Sequence, residues 1–187
     1  RVFVNRVWQW HFGAGLVRTP DNFGRLGERP THPELLDWLA VEFMESGWSL
    51  KKLHKLILLS STWQQSIYPA ASRSGKSILE TDPENRLWGR MNRRRLFAEE
   101  IRDGILQLSG NLELSMRGTM LTTANRAYVT STASVNPDVY RSDRRSVYLP
   151  VVRSALYEVF QAFDFADPSV LTGKRQSTTV APQALFM

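Results

Sequence analysis

The stretch from Thr31 to Ser60 constrains the fold more than any other part of the chain. Thr31 followed by Glu34 has the spacing of a capping box. Pro33 stands in the first turn, and Leu35, Leu36, Leu39 and Phe43 recur at the period of a helix face that stops at Gly47. Ser49 then caps a second helix, in which Leu50, Leu53, Leu56, Ile57 and Ser60 face one way while Lys51, Lys52 and Lys55 face water. The link Gly47 to Ser49 is too short to do anything but fold the two helices together, so residues 32 to 66 are expected to form an antiparallel helical hairpin.

Helical periodicity extends through much of the remaining sequence. Val4, Val7, Trp8 and Phe12 mark a first helix ended by Gly13 and Gly15. Val17 to Pro30 reads as an ordered loop anchored by Phe23 and Leu26. Residues 67–81 read as an exposed connection, and Asp82 and Pro83 start a short helix through Arg90. The next helix spans about 94–109, with Phe97, Ile101, Ile105 and Leu108 as its buried stripe and with Arg95–Glu99 and Glu99–Arg102 at pairing distance. Residues 111–144 lose the period and read as irregular loops with a short strand at Tyr128 to Thr132. Ser146 to Val152 has strand composition, but Pro150 confines it to an edge. Leu156 to Phe163 reads as a short helix, and Thr178 and Thr179 precede another with Pro182 in its first turn. The expected fold is mainly α: one domain over residues 1–187, built on the helical hairpin and the 94–109 helix, with a minor β element. The chain opens on Arg1 without a methionine and stops just as a helix begins, which suggests a domain excised from a longer protein.

Composition removes several function classes. The 187 residues are 42% hydrophobic and 22% charged, within the globular range, and no apolar run approaches the roughly 20 residues of a membrane-spanning helix. Zero cysteines exclude disulfides, thiolate nucleophiles, cysteine-ligated zinc and thioether-attached haem, so no cofactor is expected in this segment. There is no phosphate-binding glycine loop, HExxH pair, GxSxG elbow or dinucleotide fingerprint. The net charge is +6, and 19 of the 24 basic residues are Arg. The planar, forked guanidinium suits carboxylate, sulfate and phosphate partners, and equally suits internal ion pairs.

The residues with chemistry to offer are few. His11, His32 and His54 lie in three separate elements, and each is read first as a partly buried, hydrogen-bonded side chain, since spacing gives no sign of a shared metal or acid–base role. Glu99, Glu100 and Asp103, with Asp164 and Asp167, could divide acid and base work, but nearby Arg residues favour keeping them ionised in salt bridges. Arg93, Arg94 and Arg95, with Arg86 and Arg90, form the sharpest basic feature, and Arg141, Arg144 and Arg145 form a second. A nucleic-acid interface would add aromatic platforms on the same face. Trp88 is near the first cluster, yet no recognition signature accompanies it, while Trp8, Trp38 and Trp63 have the apolar neighbours of core residues.

Several segments together resemble a planctomycete domain family of unknown function. These include Val4-Asn5-Arg6-Val7-Trp8, Phe12-Gly13-Ala14-Gly15-Leu16-Val17, Thr31-His32-Pro33-Glu34-Leu35-Leu36-Asp37-Trp38-Leu39 and Gly47-Trp48-Ser49-Leu50-Lys51. Asp82-Pro83-Glu84-Asn85-Arg86-Leu87, Ile101-Arg102-Asp103, Arg144-Arg145-Ser146-Val147-Tyr148 and Thr178 to Leu185 continue the match. The resemblance implies a position near the C-terminus of large exported proteins, behind other domains that often include a cytochrome c-like haem domain. It thus implies a periplasmic or cell-surface location and neighbouring domains as partners, and it supplies no reaction. It also draws attention to Asn5, Arg6, His32, Asn85, Arg86, Arg102, Asp103 and Arg145, which are read first as a buried polar network and only then as a ligand site. The leading expectation is a non-catalytic binding or scaffold module that contacts an acidic partner domain or an anionic polysaccharide. Its candidate ligand-binding residues are Arg86, Arg94, Arg95, Arg145, Asn5 and Arg6. The alternatives are an enzyme acting on complex polysaccharide through His32, Arg102 and Asp103, and a nucleic-acid-binding domain.

Overall fold

A computed structural model describes residues 1–68, 78–121, 140–152 and 156–186, and the chain is mainly helical, as its periodicity predicts. It divides into two compact units, Arg1–Arg94 and Arg95–Met187. Among the described residues no helix is long and apolar enough to cross a membrane.

The first unit contains α1 (Val2–Phe12), α2 (Pro33–Glu45), α3 (Leu50–Leu58) and the single turn α4 (Ile78–Thr81). α1 and α3 both pack on α2, and the hairpin forms as expected. Val4, Val7, Trp8 and Phe12 of α1, Leu36, Leu39 and Phe43 of α2, and Leu53 and Ile57 of α3 are all buried in one core with Leu16, Val17 and Trp88. The end of α2 explains the sharp turn. Gly47 N–H donates to the Met44 carbonyl and Trp48 N–H to the Phe43 carbonyl, both at 3.0 Å. Gly47 takes the left-handed backbone at φ 78°, and the Trp48 ring meets Phe43 edge-on at 5.3 Å, so the motif carries its own hydrophobic contact. Ser49 Oγ accepts the Lys52 N–H at 3.4 Å at the start of α3.

Five expectations for this unit are corrected. The N-cap of α2 is His32 rather than Thr31, whose hydroxyl donates instead to the Leu16 carbonyl at 3.3 Å and ties the preceding loop to α2. Trp38 is half-exposed rather than core, and Leu26 is 92% exposed and anchors nothing, although Phe23 does pack on the core. Residues 82–90 form turns rather than a helix. The Asp82 carboxylate captures the N–H groups of Arg86 and Leu87 at 2.8 and 2.7 Å, and Asn85 and Trp88 both adopt positive φ, which a helix cannot accommodate. The end of the expected 67–81 connection holds α4, while its residues 69–77 lie outside the described residues.

The second unit contains α5 (Ala98–Leu108), a 3-10 turn (Ser146–Tyr148), α6 (Glu158–Ala162) and α7 (Ala181–Phe186). α5 packs against the 3-10 turn and α6. Its core joins Ala98 and Ile101 to Tyr140, Leu149, Phe160 and Phe163, and stacked rings run from Tyr140 to Tyr157 (4.8 Å) and from Phe160 to Phe165 (4.9 Å). The expected 94–109 helix begins only at Ala98, where Glu100 Oε2 accepts the Phe97 N–H at 2.7 Å. Its buried face is Ala98, Ile101 and Arg102, whereas Ile105 and Leu108 are exposed. Among the described residues neither Arg95–Glu99 nor Glu99–Arg102 forms a pair: Arg95 pairs with Asp164, Glu99 with Arg175 and Arg102 with Asp103. Ser146 to Val152 is not a strand. The Ser146 N–H is taken by Asp103, and the Tyr148 and Leu149 N–H groups close back on Arg145 and Ser146, which leaves no row of donors for a ladder. Among the described residues β structure is confined to a single parallel bridge between Glu113 and Arg144. The expected strand at Tyr128 to Thr132 lies outside the described residues.

Candidate functional site

The C-terminal end of α1 gathers the polar chemistry of the first unit. Gly13 ends the helix at φ 77°, and the segment Arg90 to Arg94 crosses the helix end as a strap. Asn92 Nδ2 donates to the Phe12 carbonyl at 3.0 Å, Met91 N–H to the Ser66 carbonyl at 3.0 Å, and a Cβ on Gly13 would lie 3.7 Å from that of Arg94. A helix C-terminus presents unpaired carbonyls and the negative end of the macrodipole, so a basic strap is electrostatically favoured there. Arg94 and Arg93 are exposed, and Arg93 lies over the Tyr68 ring at 5.8 Å and donates to its hydroxyl at 3.3 Å.

The strap is fixed from behind by the loop 82–92. Asn85 is fully buried at φ 52° and donates through Nδ2 to the Arg90 carbonyl (2.7 Å) and Asn92 Oδ1 (2.9 Å). Arg90 returns the contact by donating to the carbonyls of Asp82 (2.9 Å) and Pro83 (2.7 Å). Arg18 spans the Trp88 ring at 5.4 Å and donates to the Glu84 and Asn85 carbonyls, each at 3.2 Å. Burial, and then the positive charge of Arg86, pull the Arg18 guanidinium below its ordinary range, while Glu84, Glu28 and Asp82 work in the opposite direction. Trp88 is therefore a buried support under an Arg, not an exposed platform for a base.

Two of the three histidines converge, which spacing alone could not show. His11 Nε2 and His54 Nδ1 are 2.7 Å apart, with ring centroids at 5.0 Å, and the His11 ring meets Trp63 edge-on at 5.3 Å. Burial, then His54, then Arg94 hold the His11 pKa below its ordinary value. Among the described residues no three His, Asp or Glu side chains are grouped to hold a metal ion.

The remaining candidate residues have structural partners or stand exposed. Asn5 is 1% exposed and clamps Val17, accepting its N–H at 2.8 Å and donating to its carbonyl at 3.1 Å. Arg6 is exposed on α1. Arg86 bridges Glu28 (2.9 Å) and Glu84 (3.3 Å). His32 Nδ1 is 3.0 Å from Thr31 Oγ1. In the second unit Arg95 holds Asp164 at 3.4 Å and the Thr178 carbonyl, and Arg145 is exposed. Arg102 is buried and donates to the Arg144 carbonyl (2.8 Å), the Ser142 carbonyl and Ser146 Oγ (3.2 Å). Asp103 Oδ1 accepts from Ser146 N–H (2.7 Å) and Oγ–H (2.6 Å). The Arg102–Asp103 pair thus organises the 3-10 turn, and His32 belongs to the other unit. Sequence reasoning missed Arg18, Arg175 and the histidine pair, since each acts through a tertiary partner with no local signature.

Charge is uneven between the units. Residues 1–94 hold 14 of the 24 Lys and Arg against 9 of the 18 acids, a net +5, and residues 95–187 hold 10 against 9, a net +1. No curated protein and no solved structure matches the chain. A family model described as PSD1, protein of unknown function (DUF1553), matches residues 1–187 from end to end, and the chain belongs to that family.

Proposed function

We propose that this domain is a non-catalytic binding or scaffold module of an exported bacterial multidomain protein. In this reading the basic surface of residues 1–94 holds an acidic partner domain or an anionic polysaccharide. The observation that carries the reading is the net +5 of the first unit, with Arg93 and Arg94 exposed on a strap whose backbone is fixed by Asn85, Asn92 and Phe12. A strap that is already ordered costs little further ordering on binding, and guanidinium groups match carboxylate or sulfate geometry. The planctomycete setting, the periplasmic or cell-surface location and a haem domain as neighbour rest on the family resemblance. A polysaccharide-cleaving role is the weaker reading, because Arg102 and Asp103 spend their hydrogen bonds on Ser142, Arg144 and Ser146.

The test is binding of dextran sulfate and of alginate to the whole domain at low and moderate salt. The comparison is an Arg93→Ala, Arg94→Ala variant, which leaves Arg95 in place because its guanidinium holds Asp164 and Thr178. The expected result is saturable binding that weakens steeply with salt and falls several-fold in the variant. Absence of saturable binding, or equal binding by both proteins, would overturn the reading.

A further inference from the structure

We propose that His11 and His54 form an acid-sensitive clasp between α1 and α3, closed while the pair carries at most one extra proton and opened when both rings are charged. The geometry carries the inference. His11 lies in the last turn of α1 and His54 in the middle of α3, 43 residues apart, and their facing nitrogens are 2.7 Å apart, inside the range of an N–H···N hydrogen bond. α1 and α3 each pack on α2, so the imidazole pair joins two helices whose main packing runs through a third.

A bond between two imidazoles needs one N–H and one lone pair. With both rings neutral, one tautomer donates and the other accepts. One added proton leaves the bond intact, because an imidazolium still donates to a neutral ring. A second proton removes the last lone pair and places two like charges in contact. The surroundings push the same way. The His11 ring is part-buried and meets Trp63 edge-on at 5.3 Å, and Arg94 approaches from the strap with a further positive charge. Lys51 and Lys55 on α3 are exposed. The groups whose charge acts on His11 are His54 and Arg94, so both oppose its protonation.

The sign follows from linkage. A histidine whose folded pKa is depressed stays neutral in the folded chain at a pH where the unfolded chain already binds the proton. The clasp therefore contributes fully above the ordinary histidine value of about 6.5 and is lost as pH falls from there through the lower folded value. Opening would free the α1 end on which Asn92 anchors the strap. The inference stands whether or not the basic surface binds a polyanion.

The experiment is a ring-nitrogen NMR titration of His11 and His54 in the whole domain. Thermal midpoints are measured beside it between pH 7.5 and pH 5, for the wild type and for His54→Gln. The expected result is opposite tautomers for the facing nitrogens of His11 and His54 at pH 7.5, with the pair titrating in two separated steps. The wild-type midpoint should fall by about 2–4 °C across the range, and the fall should be smaller in His54→Gln, which keeps the burial and Arg94 but removes the second imidazole. A single unperturbed titration for each of His11 and His54, or an equal fall in both proteins, would overturn the proposal. Should the variant not fold, the wild-type titration decides alone.

Discussion

Asn5 shows how one side chain can fix a loop that no helix reaches. Its amide faces Val17 and satisfies both backbone groups of that residue, and a Cβ on Gly15 would stand 2.6 Å from Asn5 Nδ2 and from the Val17 carbonyl. Asn5→Ala would leave the N–H and C=O of a buried residue without partners, so it should lower stability by about 2–3 kcal/mol, read from the shift in urea midpoint. A loss below about 0.5 kcal/mol would mean that the loop finds other partners. Arg175 makes a parallel case in the second unit. It grips Glu99 through two N–H···O bonds of 2.7 Å and lies 4.8 Å from the ring centroids of both Phe97 and Phe165. A lysine has neither the fork nor the plane, so Arg175→Lys should cost about 1 kcal/mol although the charge is kept. Equal stability of the two proteins would show that charge alone matters at this position.

Elements were legible where capping and periodicity agreed, and illegible where a distant side chain decided the outcome. The α2 terminus belongs to the first kind: Gly47, the apolar face before it and Ser49 after it lie within a few residues of one another, and the turn formed as read. Gly47→Ala puts a Cβ on a residue at φ 78° with open space around it, so the cost should be backbone strain alone, about 1–2 kcal/mol by urea unfolding. No measurable loss would place the origin of the turn in the Trp48–Phe43 contact instead. The segment 82–90 and the Ser146 turn belong to the second kind. Their helical or extended composition was overridden by Asp82 and Asp103, each of which captures backbone N–H groups before a regular ladder can use them. The same reason hid the site. Composition and spacing give every arginine the same weight, and nothing local to Arg95 or Arg102 announces their partners Asp164 and Ser146, which lie 69 and 44 residues away.

At the scale of the whole molecule, each unit depends on a carboxylate held below its ordinary pKa, and this sets how the chain should respond to acid. Burial would raise the Asp82 pKa, but the N–H groups of Leu87 and Arg86, with the charges of Arg90 and Arg18, outweigh it. Burial likewise opposes ionisation of Asp164, and the Thr178 hydroxyl at 2.7 Å and N–H at 2.8 Å, with Arg95 and Gln183, reverse the balance. A depressed carboxylate stays ionised in the folded chain at a pH where the unfolded chain has begun to take up protons. Its contribution is therefore complete above the ordinary aspartate value of about 3.9 and is lost as pH falls through the lower folded value. Stability against pH should then show a shallow fall below about pH 6.5 from His11 and a separate, steeper one below about pH 4. Asp82→Asn and Asp164→Asn should each lower the urea midpoint at pH 6 and flatten the acid limb, while leaving the shallow fall in place. An acid limb unchanged in both variants would assign it to the exposed carboxylates instead. Because Asp82 anchors the loop behind the arginine strap and Asp164 does not, only Asp82→Asn should also weaken any polyanion binding measured at pH 6.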